Sequence, residues 1–157
     1  MVRIIFYYWV CFHCQCFVYG RRPTKTLAAL SGVDVRIMIP EKSDNIVVKW
    51  SIRSYFQEML EAGVQIYLYK DSFMHSKTIV ADDSVSSVGT ANLDVRSFEQ
   101  NFEVNAVIYN SSIARQLKTF FLDDCTKSDQ LNLQEYLLRP RSDKVKEGLG
   151  KIFSPIL

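Results

Sequence analysis

Glycine and proline are scarce in this 157-residue sequence, at six and four residues. It has no internal repeat and no segment of low complexity. With 48% hydrophobic and 23% charged residues, these scarcities exclude a disordered, collagen-like or coiled-coil chain. What remains is about one globular domain, long enough to bury roughly 70% of its unfolded surface. Acid is missing from residues 1–30, where Arg3, Arg21, Arg22 and Lys25 give +4. Residues 31–138 carry 10 bases and 15 acids, a balance of −5, and residues 139–157 carry five bases and two acids, a balance of +3. The net charge of +2 therefore hides an acidic centre between basic ends, so no broad nucleic-acid-binding surface follows from composition.

A second pair of metal ligands is also lacking. Cys11, His13, Cys14 and Cys16 crowd together, but a structural zinc site draws four ligands from two separated arms. Cys125 stands alone and His75 has another use, so no metal is expected. Nor is there a full membrane span. Ile4–Tyr19 is mostly apolar between Arg3 and the pair Arg21 and Arg22, but it has 16 residues broken by His13 and Gln15, against the ~20 a span requires. No small-residue cleavage site follows it, as a signal peptide would need. Residues 1–25 are expected to be an atypical segment rich in cysteine and aromatics, foreign to the rest of the chain, as an altered start would be.

From Thr26 the pattern becomes regular. Leu27–Leu30 ends a helix at Ser31-Gly32. Val33, Val35, Ile37 and Ile39 alternate with Asp34, Arg36 and Met38, which predicts a strand with one well-buried face. Ser43 or Asp44 caps a helix predicted over 45–62, with a stripe of Ile52, Tyr55, Phe56, Met59 and Leu60, and Gly63 stops it. Strands follow at Val64–Tyr69, Lys77–Ala81, Val85–Val88 and Phe102–Tyr109, then a helix capped by Ser111 or Ser112 and running to about Lys127. Helices alternating with largely apolar strands predict an α/β fold, a mixed sheet with helices on both faces.

The chemistry is concentrated between His75 and Glu103. His75 and Lys77 are two apart in a predicted strand and share a face, a pairing suited to an anionic phosphate. Lys77 would neutralise the non-bridging oxygens while His75 attacks or moves a proton. Asp82 is an odd five residues from Lys77, which favours a structural role over catalysis. Gly89 permits a turn, and Thr90 and Asn92 after it can donate to phosphoryl oxygens. Glu103 and Asn105 alternate with Phe102, Val104 and Ala106, so one strand face is polar. A carboxylate such as Glu103 can accept from an imidazole N–H and fix its tautomer. Each part alone is common, and their combination in this order is specific.

His75-x-Lys77-x4-Asp82-x6-Gly89-Thr90-x-Asn92 resembles the HKD motif of the phospholipase D superfamily. The segments Gly89–Phe98, Asn101–Asn105 and Gly32–Arg36 are similar to bacterial cardiolipin synthases of that superfamily. The resemblance runs from about Thr26 to the C-terminus. It implies a phospholipase D-like lobe over 26–138, with His75, Lys77, Asp82 and Glu103 as the catalytic set and Lys77, Thr90 and Asn92 on phosphate. It also implies transfer of a phosphatidyl group between phosphatidylglycerol molecules through a phosphohistidine, without metal or other cofactor. Members carry two HKD motifs and this chain has one. It is therefore expected to be an incomplete, C-terminal-half fragment with its early core strands missing, needing a second HKD-bearing chain or a homodimer. In the family the C-terminal histidine more often serves as general acid and base, which gives His75 that role. Anionic phospholipid and the membrane surface are the implied partners, at the cytoplasmic face of the cell membrane or peripherally, with no nucleic acid. Two other readings stand beside this one, a homodimeric single-motif phosphodiesterase or nuclease and an inactive membrane-associated remnant.

Residues 139–157 form a basic amphipathic tail in the sequence. Val145, Leu149, Ile152 and Ile156 fall at helical spacing among Lys144, Lys146 and Lys151. Gly148, Gly150 and Pro155 weaken the helix. Such a tail can lie on an anionic membrane or pack on the domain.

Overall fold

The computed structural model describes residues 3–8, 24–42, 46–70, 74–91 and 102–153. Among these, seven strands form one mixed sheet in the order β6-β5-β4-β1-β2-β3-β7. The strands are β1 (Arg3–Tyr8), β2 (Asp34–Pro40), β3 (Gln65–Tyr69), β4 (Lys77–Ala81), β5 (Val85–Gly89), β6 (Asn105–Ile108) and β7 (Ser128–Gln130). The helices are α1 (Thr24–Leu30), α2 (Ile46–Arg53), α3 (Phe56–Glu61), α4 (Ser111–Thr126), α5 (Leu133–Leu137) and α6 (Arg141–Phe153).

The first strand corrects an expectation. Arg3–Tyr8 is not foreign to the lobe but is its central strand, parallel to β2 (Ile5 beside Arg36) and antiparallel to β4 (Tyr8 beside Lys77). An inner strand of such a sheet can be apolar along its whole length, so the apolar run Ile4–Tyr8 does not require a membrane. At least this early strand is present. Cys11, His13, Cys14 and Cys16 lie outside the described residues.

Both faces of the sheet are buried at β2 and β3, while β6 is largely exposed. Val35, Ile37 and Ile39 of β2 and Ile66 and Leu68 of β3 pack with Ile52, Phe56 and Met59 of α2 and α3 and with Tyr136 of α5. On the opposite face Met38, Tyr67 and Val80 meet Ala114 and Phe121 of α4. Tyr67 and Phe121 touch edge to face with ring centres 6.2 Å apart. A buried phenylalanine of this kind contributes about 3–5 kcal/mol relative to alanine. β2 thus buries residues of both parities, and not only the expected Val35–Ile37–Ile39 face.

The helix expected over 45–62 is two helices. Ser54 interrupts it: its Oγ donates to Ser51 O at 2.6 Å, and its amide contacts both Trp50 O (3.1 Å) and Ser51 O (3.2 Å). A serine hydroxyl competing for backbone carbonyls in this way ends a helical run. Gly63, at φ 90°, stops α3 as expected. Ser43 and Asp44 lie outside the described residues. The cap of α4 is Asn110, not Ser111 or Ser112, and its Oδ1 accepts from Ser112 N (2.8 Å) and Ile113 N (3.2 Å).

The tail is a docked helix. α6 packs against α2 with Gly150 so close that a Cβ there would sit 2.6 Å from Ser51 N and 2.7 Å from Trp50 C. Gly150, which weakens the helix in the sequence, is what lets α6 approach α2. Glu147 is buried beneath it. Arg139 Nη2 donates to Glu147 Oε2 at 2.7 Å, and the Tyr136 hydroxyl lies 2.7 Å from Glu147 Oε1 and 2.8 Å from Arg53 O. Pro155 and Ile156 lie outside the described residues.

Candidate active site

The register of β4, β5 and β6 brings the chemical residues to one end of the sheet. Thr78 pairs with Val88, so Lys77 stands level with Gly89, and Gly89 pairs with Asn105. His75 and Glu103 precede β4 and β6 by two residues each and lie outside the strands, so strand alternation does not fix the face of either.

His75 and Lys77 meet as their spacing predicts. Lys77 Nζ lies 3.1 Å from His75 Nε2 and donates to His75 O at 3.1 Å. The lysine is 8% exposed, while the imidazole faces solvent. An ammonium can only donate, so Nε2 accepts and the proton of the neutral ring sits on Nδ1. Partial burial of the ring, reinforced by the Lys77 charge, lowers the His75 pKa from its ordinary value. The imidazole is therefore neutral at pH 7, the form that can attack phosphorus or take a proton from an alcohol.

Gly89 has a different reason from the one expected. It lies in strand β5, and a Cβ there would fall 1.8 Å from Asn105 Oδ1 and 2.3 Å from Val104 O. Close cross-strand approach, not a turn, demands glycine. Thr90 is fastened to the same strand, with its amide donating to Val104 O (3.0 Å) and its Oγ1 accepting from Val104 N (3.0 Å). Its hydroxyl therefore holds β6 in place, where the sequence suggested a phosphate contact. Asn105 accepts from Ala91 N at 3.3 Å. It belongs to the site by position, and its alternation with Glu103 was the signal for it. Asn92 lies outside the described residues.

Asp82 is not brought to the site. Five residues beyond Lys77 along β4, it lies at the opposite end of the strand, about 16 Å away at 3.3 Å per residue. Asp82 (φ 50°) and Asp83 (φ 55°) form the β4–β5 hairpin turn, closed by Ser84 N donating to Ala81 O at 3.1 Å. Aspartate tolerates this left-handed backbone better than most residues. Asp83 also pairs with Lys118 of α4 at 2.5 Å. The conformation of the turn accounts for an aspartate here without a catalytic role.

A groove of about 500 Å³ lined by Arg53, Gln130, Asn132 and Arg139 lies at the β7 edge of the sheet, away from His75. No helix among the described residues is long and apolar enough to cross a membrane.

A mixed sheet whose central strands are buried on both faces, with a histidine–lysine pair at the end of an inner strand, is the arrangement of a phospholipase D-type lobe. The chain belongs to that family: residues 3–125 match the model described as cardiolipin synthase, PLD-like domain. The match takes in β1, so the likeness reaches further toward the N-terminus than Thr26. The chain is 50% identical over 131 residues to the major cardiolipin synthase ClsA of Bacillus subtilis and 51% identical over 131 residues to cardiolipin synthase 2 of Staphylococcus epidermidis. In each case the match covers 83% of this chain and 27% of the relative, so the chain spans about a quarter of their length. Among solved structures it resembles Nuc of Salmonella typhimurium, a phospholipase D family member (TM-score 0.62, 18% identity, 83% of this chain and 81% of that one). It also resembles phosphatidylserine synthase of Haemophilus influenzae (TM-score 0.68, 15% identity, 98% of this chain and 39% of that one). At these identities the likeness is one of fold.

Proposed function

We propose that this chain is one lobe of a phosphatidyltransferase that converts two phosphatidylglycerol molecules into cardiolipin and glycerol. The reading rests on the Lys77–His75 pair, held at 3.1 Å level with the β5–β6 polar ladder, in a chain half identical to cardiolipin synthases. A second HKD histidine, from another lobe or another copy, attacks phosphorus and forms the phosphohistidine as the P–O bond to glycerol breaks. His75, protonated on both ring nitrogens once the anionic substrate phosphate offsets the Lys77 charge, gives its Nε2 proton to the departing glycerol oxygen and becomes neutral. It then takes a proton from the hydroxyl of the second phosphatidylglycerol as that oxygen attacks phosphorus and the P–N bond breaks. The proton lost in the first half is regained in the second. Lys77 neutralises the phosphoryl oxygens, and Glu103 receives the Nδ1–H in this reading and supports the imidazolium. Asn92 supplies a further donor to phosphate. The site works at a membrane surface, where its substrates reside.

The assay is cardiolipin and glycerol release from phosphatidylglycerol vesicles at rising protein concentration. Activity that rises with the square of concentration is expected if two copies complete the site, and His75→Ala should lower it by about 10²–10⁴-fold. Cardiolipin synthesis that survives His75→Ala sinks the assignment. No cardiolipin at any concentration removes activity from the chain alone. A second reading, a homodimeric phosphodiesterase, is favoured by the size match to Nuc, of which this chain covers 81%. DNA cleavage lost with His75→Ala would select it, although the acidic centre of the chain disfavours a duplex.

A further inference from the structure

α6 is built the wrong way round for an ordinary surface helix. The side facing α2 carries Glu147 and Gly150, while the outer side carries Val145, Leu149 and Ile152, exposed at 62%, 53% and 71%. At 100° per residue these three fall within about 60° of one another, opposite Glu147. A stripe like this cannot be explained by the core of the lobe, from which it points away. It cannot fold back either, because Gly150 is seated against the α2 backbone and Glu147 is held by Arg139 and Tyr136.

The charge around the stripe identifies what would cover it. Lys146 lies on one flank and Lys144 and Lys151 on the other. The stems of Lys146 and Lys151 run along the boundary with α2, their ammonium groups 4.9 Å from the Trp50 ring centre and 5.2 Å from that of Tyr55. Glu147 is buried against Arg139, so within the helix only Asp143 offsets the cations, through Lys146 at 3.4 Å. An apolar ridge bordered by lysines complements an anionic bilayer, with acyl chains under the ridge and phosphates beside the cations. A second copy would bring the same lysines against each other. One face of a 13-residue helix is also far short of the ~800 Å² per partner that a stable dimer buries.

We propose that the outer face of α6 is an interfacial surface that seats the lobe on an anionic bilayer. The inference rests on the phosphatidyltransferase reading for its choice of partner, and binding is measured apart from turnover so that the two fail separately.

The test is co-sedimentation of the 157-residue chain with vesicles of phosphatidylglycerol and phosphatidylcholine, against phosphatidylcholine alone. The expected result is binding to the anionic vesicles that weakens with salt and falls on the order of a hundredfold in the double variant Leu149→Glu, Ile152→Glu. Both positions are exposed, and an unchanged melting temperature verifies that the variant is folded. Lys144→Gln with Lys151→Gln should weaken binding while keeping the stripe. Equal binding by wild type and the Leu149→Glu, Ile152→Glu variant overturns the proposal, as does equal binding to neutral vesicles. A self-associated wild type that the same variant renders monomeric, without vesicle binding, would assign the stripe to protein contact instead. Loss of turnover with vesicle binding intact would count against the phosphatidyltransferase reading alone.

Discussion

Replacing Glu147 by alanine is expected to destabilise the lobe by about 3 kcal/mol. The carboxylate and its partner Arg139 are 5% and 13% exposed at their side chains, so solvent screens the pair little. Three donors converge on it: Arg139 Nη2 at 2.7 Å, Arg139 Nε at 3.1 Å and the Tyr136 hydroxyl at 2.7 Å. Breaking a buried pair by removing one partner costs about 3–5 kcal/mol, because the remaining charge is left without its counterion. The lower end applies here. Arg139 keeps Tyr136 O at 2.8 Å and Gln57 Oε1 at 3.4 Å, and the Tyr136 hydroxyl can turn its one proton to Arg53 O at 2.8 Å. Urea unfolding followed by circular dichroism measures it. With a slope of about 2 kcal/mol/M, the midpoint should fall by about 1.5 M. The double variant Arg139→Met, Glu147→Leu removes both charges at similar volume and should lie within about 1 kcal/mol of wild type. A single variant that loses less than about 1 kcal/mol, or a double as unstable as the single, would refute the argument that an unpaired charge is the cost.

Two further outcomes follow from the site itself. Gly89→Ala places a methyl 2.3 Å from Val104 O and 2.6 Å from Asn105 Cα, so β5 and β6 must part. A loss of about 1–3 kcal/mol, read as a melting temperature lower by several degrees, is expected, and an unchanged melting temperature would refute the close approach. The His75 imidazole, followed by NMR in a His13→Asn background, should titrate below its ordinary midpoint of 6.5. Both causes disfavour the protonated ring, so the neutral form persists to lower pH. Lys77→Met removes one of them and should raise the midpoint part of the way back, whereas a midpoint above 6.5, or one unmoved by that change, contradicts the geometry.

The pair at the heart of the site was legible because His75 and Lys77 differ by two, the period of a strand, and the strand was clear from its apolar pattern. The strand expected over Phe102–Tyr109 begins only at Asn105, so the alternation read for Glu103 in the sequence is not that of a strand. Asp82 could be discounted by its odd offset, but its actual use, a left-handed hairpin turn, depends on which residues pair across β4 and β5. β1 was hidden because a continuous apolar run carries no period to read. The helix break at Ser54 was invisible because the stripe continues through it in Tyr55 and Phe56. Gly150 misled for a different reason. Helix propensity penalises glycine, while the approach of a second helix requires it, and only the tertiary packing says which effect wins.

The position of β1 has a consequence for how the site is assembled. β1 is the seam between two three-stranded leaves, β2-β3-β7 and β4-β5-β6, and the second leaf holds His75, Lys77 and Asn105. α4 also straddles the seam, touching Met38 and Tyr67 on one side and Val80 on the other. Tyr8 and Lys77 are far apart in sequence, so the pairing that joins the leaves closes a long loop. The leaf that carries His75 and Lys77 is thereby tied through β1 to the leaf with the larger buried core, and the aim of that pair depends on a strand remote from it in sequence.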